Sequence, residues 1–318
     1  MNLYKILQLV RQKQPLVQCI TNFVTVNDCA NILLAAGASP TMAQDIREVE
    51  EAVASADALV CNLGAIDFTD SMLLAGKQAN KLGIPVILDP VAAGGTSLRR
   101  TLSAKLLSEV HFTAIRGNAS EIQWLAGYTE NKDTVNHNTV TELPKTMSSN
   151  YNTESATPNI NQNDETTAYT YNQPKGNGVD VSAADIITNE NLQKSIHMVQ
   201  KLARQTETVI AISGALDLIS DGERTAVLRN GCATMARITG SGCMLTTLIG
   251  AFCGAVPDDS FAATCAAMAV MGICGELAEK RRLANGTGNA TFRTDLIDAV
   301  FNLNEQDFSK HIQCTFYS

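Results

Sequence analysis

Over its first 126 residues the chain alternates short apolar runs with helix-length segments, and that alternation restricts it to few folds. Strands that follow one another through a helix pair in parallel and need cover on both faces. Residues 16–20 read as a strand and 26–36 as a helix closed by Gly37. Residues 58–62 form the next strand, 70–82 a helix, and 84–88 a strand stopped by Asp89-Pro90. A helix at 98–108, a strand at 112–115, the turn Arg116-Gly117-Asn118 and a helix through Glu121 and Leu125 complete this series.

The pattern breaks at residues 129–175, where nine Asn and ten Thr leave few apolar anchors. Such a composition buries too little surface to offset chain entropy, so this stretch reads as an insertion within a single domain spanning 1–318. Regular patterning resumes with a helix at 183–204, a strand at 208–212, a hairpin at 216–220 and 225–228, and helices at 242–255, 261–283 and 294–302. The expected fold is a three-layer α/β domain with a mostly parallel central sheet flanked by helices.

Composition excludes several functions. The formal charge is −8, which lacks the basic excess that nucleic-acid binding requires. Nine scattered cysteines form no zinc spacing and no disulfide framework, which predicts a reducing compartment. Residues 1–15 lack the pattern of a signal peptide. The uncharged stretches 238–256 and 261–275 are short for membrane spans and read as buried core helices. A cytoplasmic protein without membrane or nucleic-acid partners is expected.

Three segments carry chemistry. Thr239-Gly240-Ser241-Gly242-Cys243 precedes an apolar helical run. A glycine turn at a helix start offers free amides and a partial positive charge, an anion site suited to a transferring phosphoryl group. Cys243 falls on the first helical turn, where a thiol pKa is expected to be lowered, so it is a candidate proton acceptor. Arg116-Gly117-Asn118-Ala119-Ser120-Glu121 places Asn118 and Glu121 on one helix face, with Arg116 suited to phosphate oxygens and Glu121 to Mg²⁺. The same spacing also fits a helix cap with a first-turn Glu. Leu88-Asp89-Pro90-Val91 sets Asp89 at the carboxyl end of a strand, where open α/β sheets bind ligands. No Gly-x4-Gly-Lys-Ser/Thr loop occurs, so a nucleotide is not held by a Walker motif.

These segments, together with Cys19-Ile20-Thr21-Asn22, Gly37-Ala38-Ser39-Pro40-Thr41-Met42 and, more loosely, Gly286-Thr287-Gly288, occur in an order that resembles the hydroxyethylthiazole kinase family. This is a branch of the ribokinase-like superfamily, in which most members carry Asp where Cys243 stands. The resemblance covers the chain outside about 129–175. It implies ATP-dependent phosphorylation of the primary hydroxyl of 4-methyl-5-(2-hydroxyethyl)thiazole in thiamine salvage, with Mg²⁺ as cofactor. It also implies the roles of individual residues. Gly240 and Gly242 form the anion hole and Cys243 lies beside the reacting hydroxyl. Arg116, Ser213 and Asn118 contact ATP, Glu121 and Asp89 organise the metal, and Asn22, Met42 and Gly240 line the thiazole pocket. A homotrimer is implied too, with sites between subunits, so that the 22–42 region meets a neighbour's Cys243.

The chain departs from the family's usual pattern at Phe23, where Asn is common, at Ala92, where Gly is usual, and at Ser213, where Thr is usual. Two other functions compete. A ribokinase-like kinase of another small alcohol, such as hydroxymethylpyrimidine, would be expected to carry Asp at position 243. A non-catalytic thiazole- or nucleotide-binding protein would tolerate loss of Glu121, Gly242 or Cys243, and all three are present.

Overall fold

The computed structural model describes residues 2–132 and 187–317. The strands are β1 (Leu16–Ile20), β2 (Ser39–Thr41), β3 (Ala58–Asn62), β4 (Val86–Asp89), β5 (Ala114–Gly117), β6 (Val209–Ile212), β7 (Asp217–Ser220), β8 (Thr225–Leu228) and β9 (Cys314–Tyr317). They form one sheet in the order β2-β1-β3-β4-β5-β6-β7-β8-β9. Pairing is parallel from β2 to β6 and antiparallel from β6 to β9. The mostly parallel sheet expected from the alternation is therefore present, with an antiparallel extension at one side.

Successive residues of each inner strand feed opposite cores, as a period of two requires. Val17, Val60, Ile87 and Ala211 enter one core, whereas Ile20, Leu59, Leu88 and Ile212 enter the other. The first core is covered by α1 (Leu3–Lys13), α2 (Val26–Ala36), α8 (Ser241–Ala255), α9 (Ser260–Asn285) and α10 (Asn289–Asn302). The second is covered by α3 (Val49–Ala54), α4 (Thr69–Leu82), α5 (Ser97–Glu109), α6 (Ala119–Lys132) and α7 (Leu192–Thr206). A short α11 (Glu305–His311) precedes β9.

Helix α9 is long and apolar enough to cross a membrane, but 89% of its apolar window is buried inside the fold. It is a core helix, packed against α8 and α10. Burying one large aliphatic side chain stabilises by about 1.5–3 kcal/mol, and α9 supplies Val270, Met271 and Ile273, each at most 1% exposed.

Several predicted boundaries move, each for a local reason. The helix expected at 183–204 starts at Leu192, because the Asn191 side chain accepts the Thr188 amide at 2.8 Å in a competing turn. Residues 183–186 lie outside the described residues. The short β2 carries Pro40, which an edge strand tolerates because its missing N–H faces no neighbour. Residues 129–132 end α6, and the rest of the 129–175 stretch lies outside the described residues. Ala92, where the family usually has Gly, adopts φ 55°. Glycine adopts that left-handed conformation without a steric cost.

The strand order reverses between β1 and β3, since β2 lies on the far side of β1. In open α/β sheets the crevice outside the carboxyl strand ends at such a reversal binds ligands. Asn22 follows β1 there and Asn62 ends β3.

Candidate active site

Helix α8 starts directly above these strand ends. Its N-cap is Gly240, at φ 85° and ψ 0°, and no side chain caps the helix. The first-turn amides are thus free of side-chain partners, and the helix dipole adds positive potential at the same place. Cys243 sits on this turn, half-buried.

A chain of side-chain hydrogen bonds runs beneath the turn. The Asn62 Nδ2 donates to Cys243 Sγ at 3.2 Å and to Asp89 Oδ2 at 3.1 Å. Parallel register sets Asn62 directly opposite Asp89. Asn22 Nδ2 donates to Cys243 Sγ at 3.5 Å and to Asn62 Oδ1 at 3.3 Å, and Thr25 Oγ1 donates to Asn22 Oδ1 at 3.2 Å. Thr246, one turn further along α8, donates its hydroxyl to Asp89 Oδ2 at 2.9 Å. Asn62, Thr25 and Thr246 escaped the sequence reading. The signal available for Asn62 was the one that marked Asp89, a polar residue closing an apolar strand.

The thiol does not behave as a helix start alone would dictate. Burial raises the Cys243 pKa, and the nearby Asp89 carboxylate raises it further, while hydrogen bonds from Thr25, Asn62 and Asn22 work in the opposite direction. The expected lowering is therefore corrected: burial and the Asp89 carboxylate raise the thiol here.

On the other side of the turn, Arg116 Nη1 lies 3.6 Å from Asp89 Oδ2, and its Nη2 donates to Ser213 Oγ. The Arg116 Nε is buried without a partner among the described residues. Asn118 and Glu121 form a reciprocal cap: Asn118 Oδ1 accepts the Glu121 amide at 2.9 Å, and Glu121 Oε2 accepts the Asn118 amide at 2.8 Å. Glu121 Oε1 accepts the Ala92 amide at 2.7 Å. The capping alternative for this motif is thus realised, and it fixes the Glu121 carboxylate close to Asp89.

Burial raises the pKa of both carboxylates, and Asp89 raises that of Glu121 further. The Arg116 guanidinium pulls both carboxylates back down. Among the described residues no three His, Cys, Asp or Glu side chains converge. That donor set, two hard oxygen ligands and no cage, fits Mg²⁺ shared with substrate phosphates rather than a structural metal.

A cavity of about 720 Å³ opens from this point. Its lining includes Arg116, Ser213 and Gly242 together with the apolar Leu245, Met268 and Met271. Asp217 also lines it, accepting the Gly214 amide at 2.9 Å. Burial pushes the Asp217 carboxyl up to about 7 against the pull of that bond and of Arg116. Met42 follows β2, half-buried against the first core.

A family model described as the hydroxyethylthiazole kinase family matches residues 7–156 and 160–306. The chain belongs to the hydroxyethylthiazole kinase family. It is 42% identical over 299 residues to hydroxyethylthiazole kinase of Clostridium acetobutylicum, covering 93% of each chain. The solved hydroxyethylthiazole kinase of Pyrococcus horikoshii OT3 superposes with a TM-score of 0.75 at 30% identity, covering 99% of each chain. Pyridoxal kinase of Staphylococcus aureus, solved with AMP-PCP and pyridoxal, shares the fold with a TM-score of 0.50 at 12% identity, over 82% of this chain and 87% of that one. The ribokinase-like architecture is thereby shown, and the chain is a kinase.

In this member of the hydroxyethylthiazole kinase family, Asn22 reaches Cys243 of its own chain. The reversal between β1 and β3 brings Asn22 under α8 within one chain.

Proposed function

We propose that the enzyme transfers the γ-phosphoryl group of ATP to the primary hydroxyl of 4-methyl-5-(2-hydroxyethyl)thiazole, giving the thiazole phosphate and ADP for thiamine salvage. The observation that carries this reading is the placement of Cys243 and Arg116 on opposite sides of the uncapped α8 start, with Asp89 between them. Phosphoryl transfer requires in-line positioning and neutralisation of charge more than covalent chemistry. The amides of Ser241, Gly242 and Cys243 stabilise the equatorial oxygens, with Gly240 turning the chain into them. Arg116 and Ser213 hold the phosphate chain, with the Asn118 turn beside them, and the apolar lining of the cavity takes the flat base. Asp89 and Glu121 would hold Mg²⁺, which would supply neutralisation of the phosphate oxygens. Cys243 lies beside the hydroxyl and accepts its proton, while Asn22, Gly240 and Met42 line the thiazole side.

The protein is a homotrimer in this reading, with subunit boundaries near the sites. Phe23 and Val24 support it, being 90% and 56% exposed immediately after Asn22. Light scattering giving a monomer mass would remove it. All nine cysteines are free thiols, which supports a cytoplasmic, reducing compartment.

The test is ADP release with MgATP, comparing hydroxyethylthiazole, hydroxymethylpyrimidine and a sugar alcohol. Turnover of the thiazole alone is expected. Preferred turnover of another alcohol would retain the kinase and overturn the substrate, pointing to Phe23. Binding of ATP without turnover of any of the three would favour a binding protein instead.

A further inference from the structure

Asn62 is 1% exposed, and its carboxamide is fully committed. The two Nδ2 protons go to Cys243 Sγ and Asp89 Oδ2, and the Oδ1 lone pairs accept the Gly64 amide at 2.8 Å and Asn22 Nδ2 at 3.3 Å. An amide supplies two donors and two acceptor sites, so every one is used. Its orientation is also determined. Rotating the amide by half a turn would face its oxygen to the Asp89 carboxylate and its NH₂ to two other donors.

This pattern exceeds what closing a strand requires. Backbone ladders and the Gly64 turn would be satisfied by the oxygen alone. The NH₂ group instead stands between a carboxylate and a thiol, two groups that repel one another whenever both are negative. A neutral residue presenting one N–H to each separates them and fixes their distance. No other described side chain donates to both Asp89 and Cys243.

We propose that Asn62 is a positioning residue for phosphoryl transfer, holding the Cys243 thiol and the Asp89 carboxylate in register on either side of the α8 start. The proposal rests on the reading of Cys243 given above. Asn62 touches neither phosphate nor hydroxyl in this role; it acts through the thiol, and its bond to Asp89 anchors the amide that orients that thiol.

The test is a double-mutant cycle on the full chain, using Asn62→Asp, Asn62→Ser and Cys243→Ala. Thermal melting establishes that each variant folds, and Asn62→Ser serves if the added charge of Asn62→Asp prevents folding. With Cys243 present, either Asn62 change is expected to lower kcat by roughly 10- to 100-fold, the usual cost of losing an outer-shell support. KM for MgATP should stay within about twofold for Asn62→Ser, which adds no charge beside Asp89. In the Cys243→Ala background the same change should cost less than about threefold, because coupled residues are not additive. A kcat within twofold of wild type for both Asn62 variants would overturn the proposal. So would a loss that persists in full without the thiol, which marks a purely structural role. Cys243→Ala measured alone reports separately on the thiol: unchanged kcat there removes the reading beneath the proposal, whatever Asn62 does.

Discussion

Replacing Cys243 by Ala is expected to lower kcat by about 10²- to 10⁴-fold, the range for loss of a positioned proton acceptor. KM for MgATP should remain within about threefold, because the cavity proposed for the nucleotide is lined by Arg116, Ser213 and Gly242 and not by the thiol. The pH profile carries a second part of the same expectation. Burial and Asp89 raise the thiol above its ordinary value of 9.0. At neutral pH the thiol is therefore mostly protonated and only a minor thiolate fraction accepts a proton. The kcat of the wild type should accordingly rise between about pH 7 and 9, and Cys243→Ala should lose that rise. Cys243→Asp is expected to stay active, since a carboxylate occupies this position in most ribokinase-like kinases. Steady-state kinetics across this pH range is the measurement. An undiminished kcat for Cys243→Ala would exclude the thiol as the base, and complete inactivity of Cys243→Asp would show a requirement for sulfur.

The alternation of strands and helices was legible because each βα unit announces itself locally. The helix 26–36 with its Gly37 cap, the strands 16–20 and 58–62 and the hairpin at 216–228 lie within a residue of where patterning puts them. What escaped was short or made by pairing. The three-residue β2 contains Pro40, and the half-exposed β9 acquires strand structure only by lying along β8. The site shows the same division. Gly240, Cys243, Arg116, Glu121 and Asp89 sit in local motifs whose chemistry can be read from neighbours in sequence. Asn62, Thr246 and Asp217 become functional candidates only when β3, α8 and β7 are brought beside Asp89 and Arg116. The thiol's environment was misjudged for a related reason. A helix start is visible in sequence, whereas the desolvation and the carboxylate that oppose it come from distant strands.

Gly240 and Gly242 are two residues apart, yet substitution by Ala should fail in different ways. At Gly240 the backbone is left-handed, φ 85°, and an added Cβ would lie 2.7 Å from Thr25 Cγ2. The left-handed region alone costs a side chain about 1–2 kcal/mol, and Thr25 is β-branched and cannot swing aside freely. Gly240→Ala is therefore expected to lower Tm by several degrees, at roughly 2–4 °C per kcal/mol for a domain of this kind. Gly242 is helical, and there an added Cβ would lie 2.5 Å from Arg116 Nη1 and 3.0 Å from Nη2. The neighbour is the far end of a long side chain, so the fold can yield by moving it, and Ala favours a helix over Gly by about 1 kcal/mol. Tm should be unchanged or higher. Activity should not survive as well, because the displaced guanidinium is the group that meets both Asp89 and Ser213. A misplacement of about 1 Å at such a group costs on the order of 10²-fold in rate, and KM for MgATP should rise with it. Thermal melting and MgATP kinetics on the two variants separate the cases. A Gly242→Ala enzyme with wild-type kcat/KM would mean that the position of Arg116 against the α8 start does not matter for transfer.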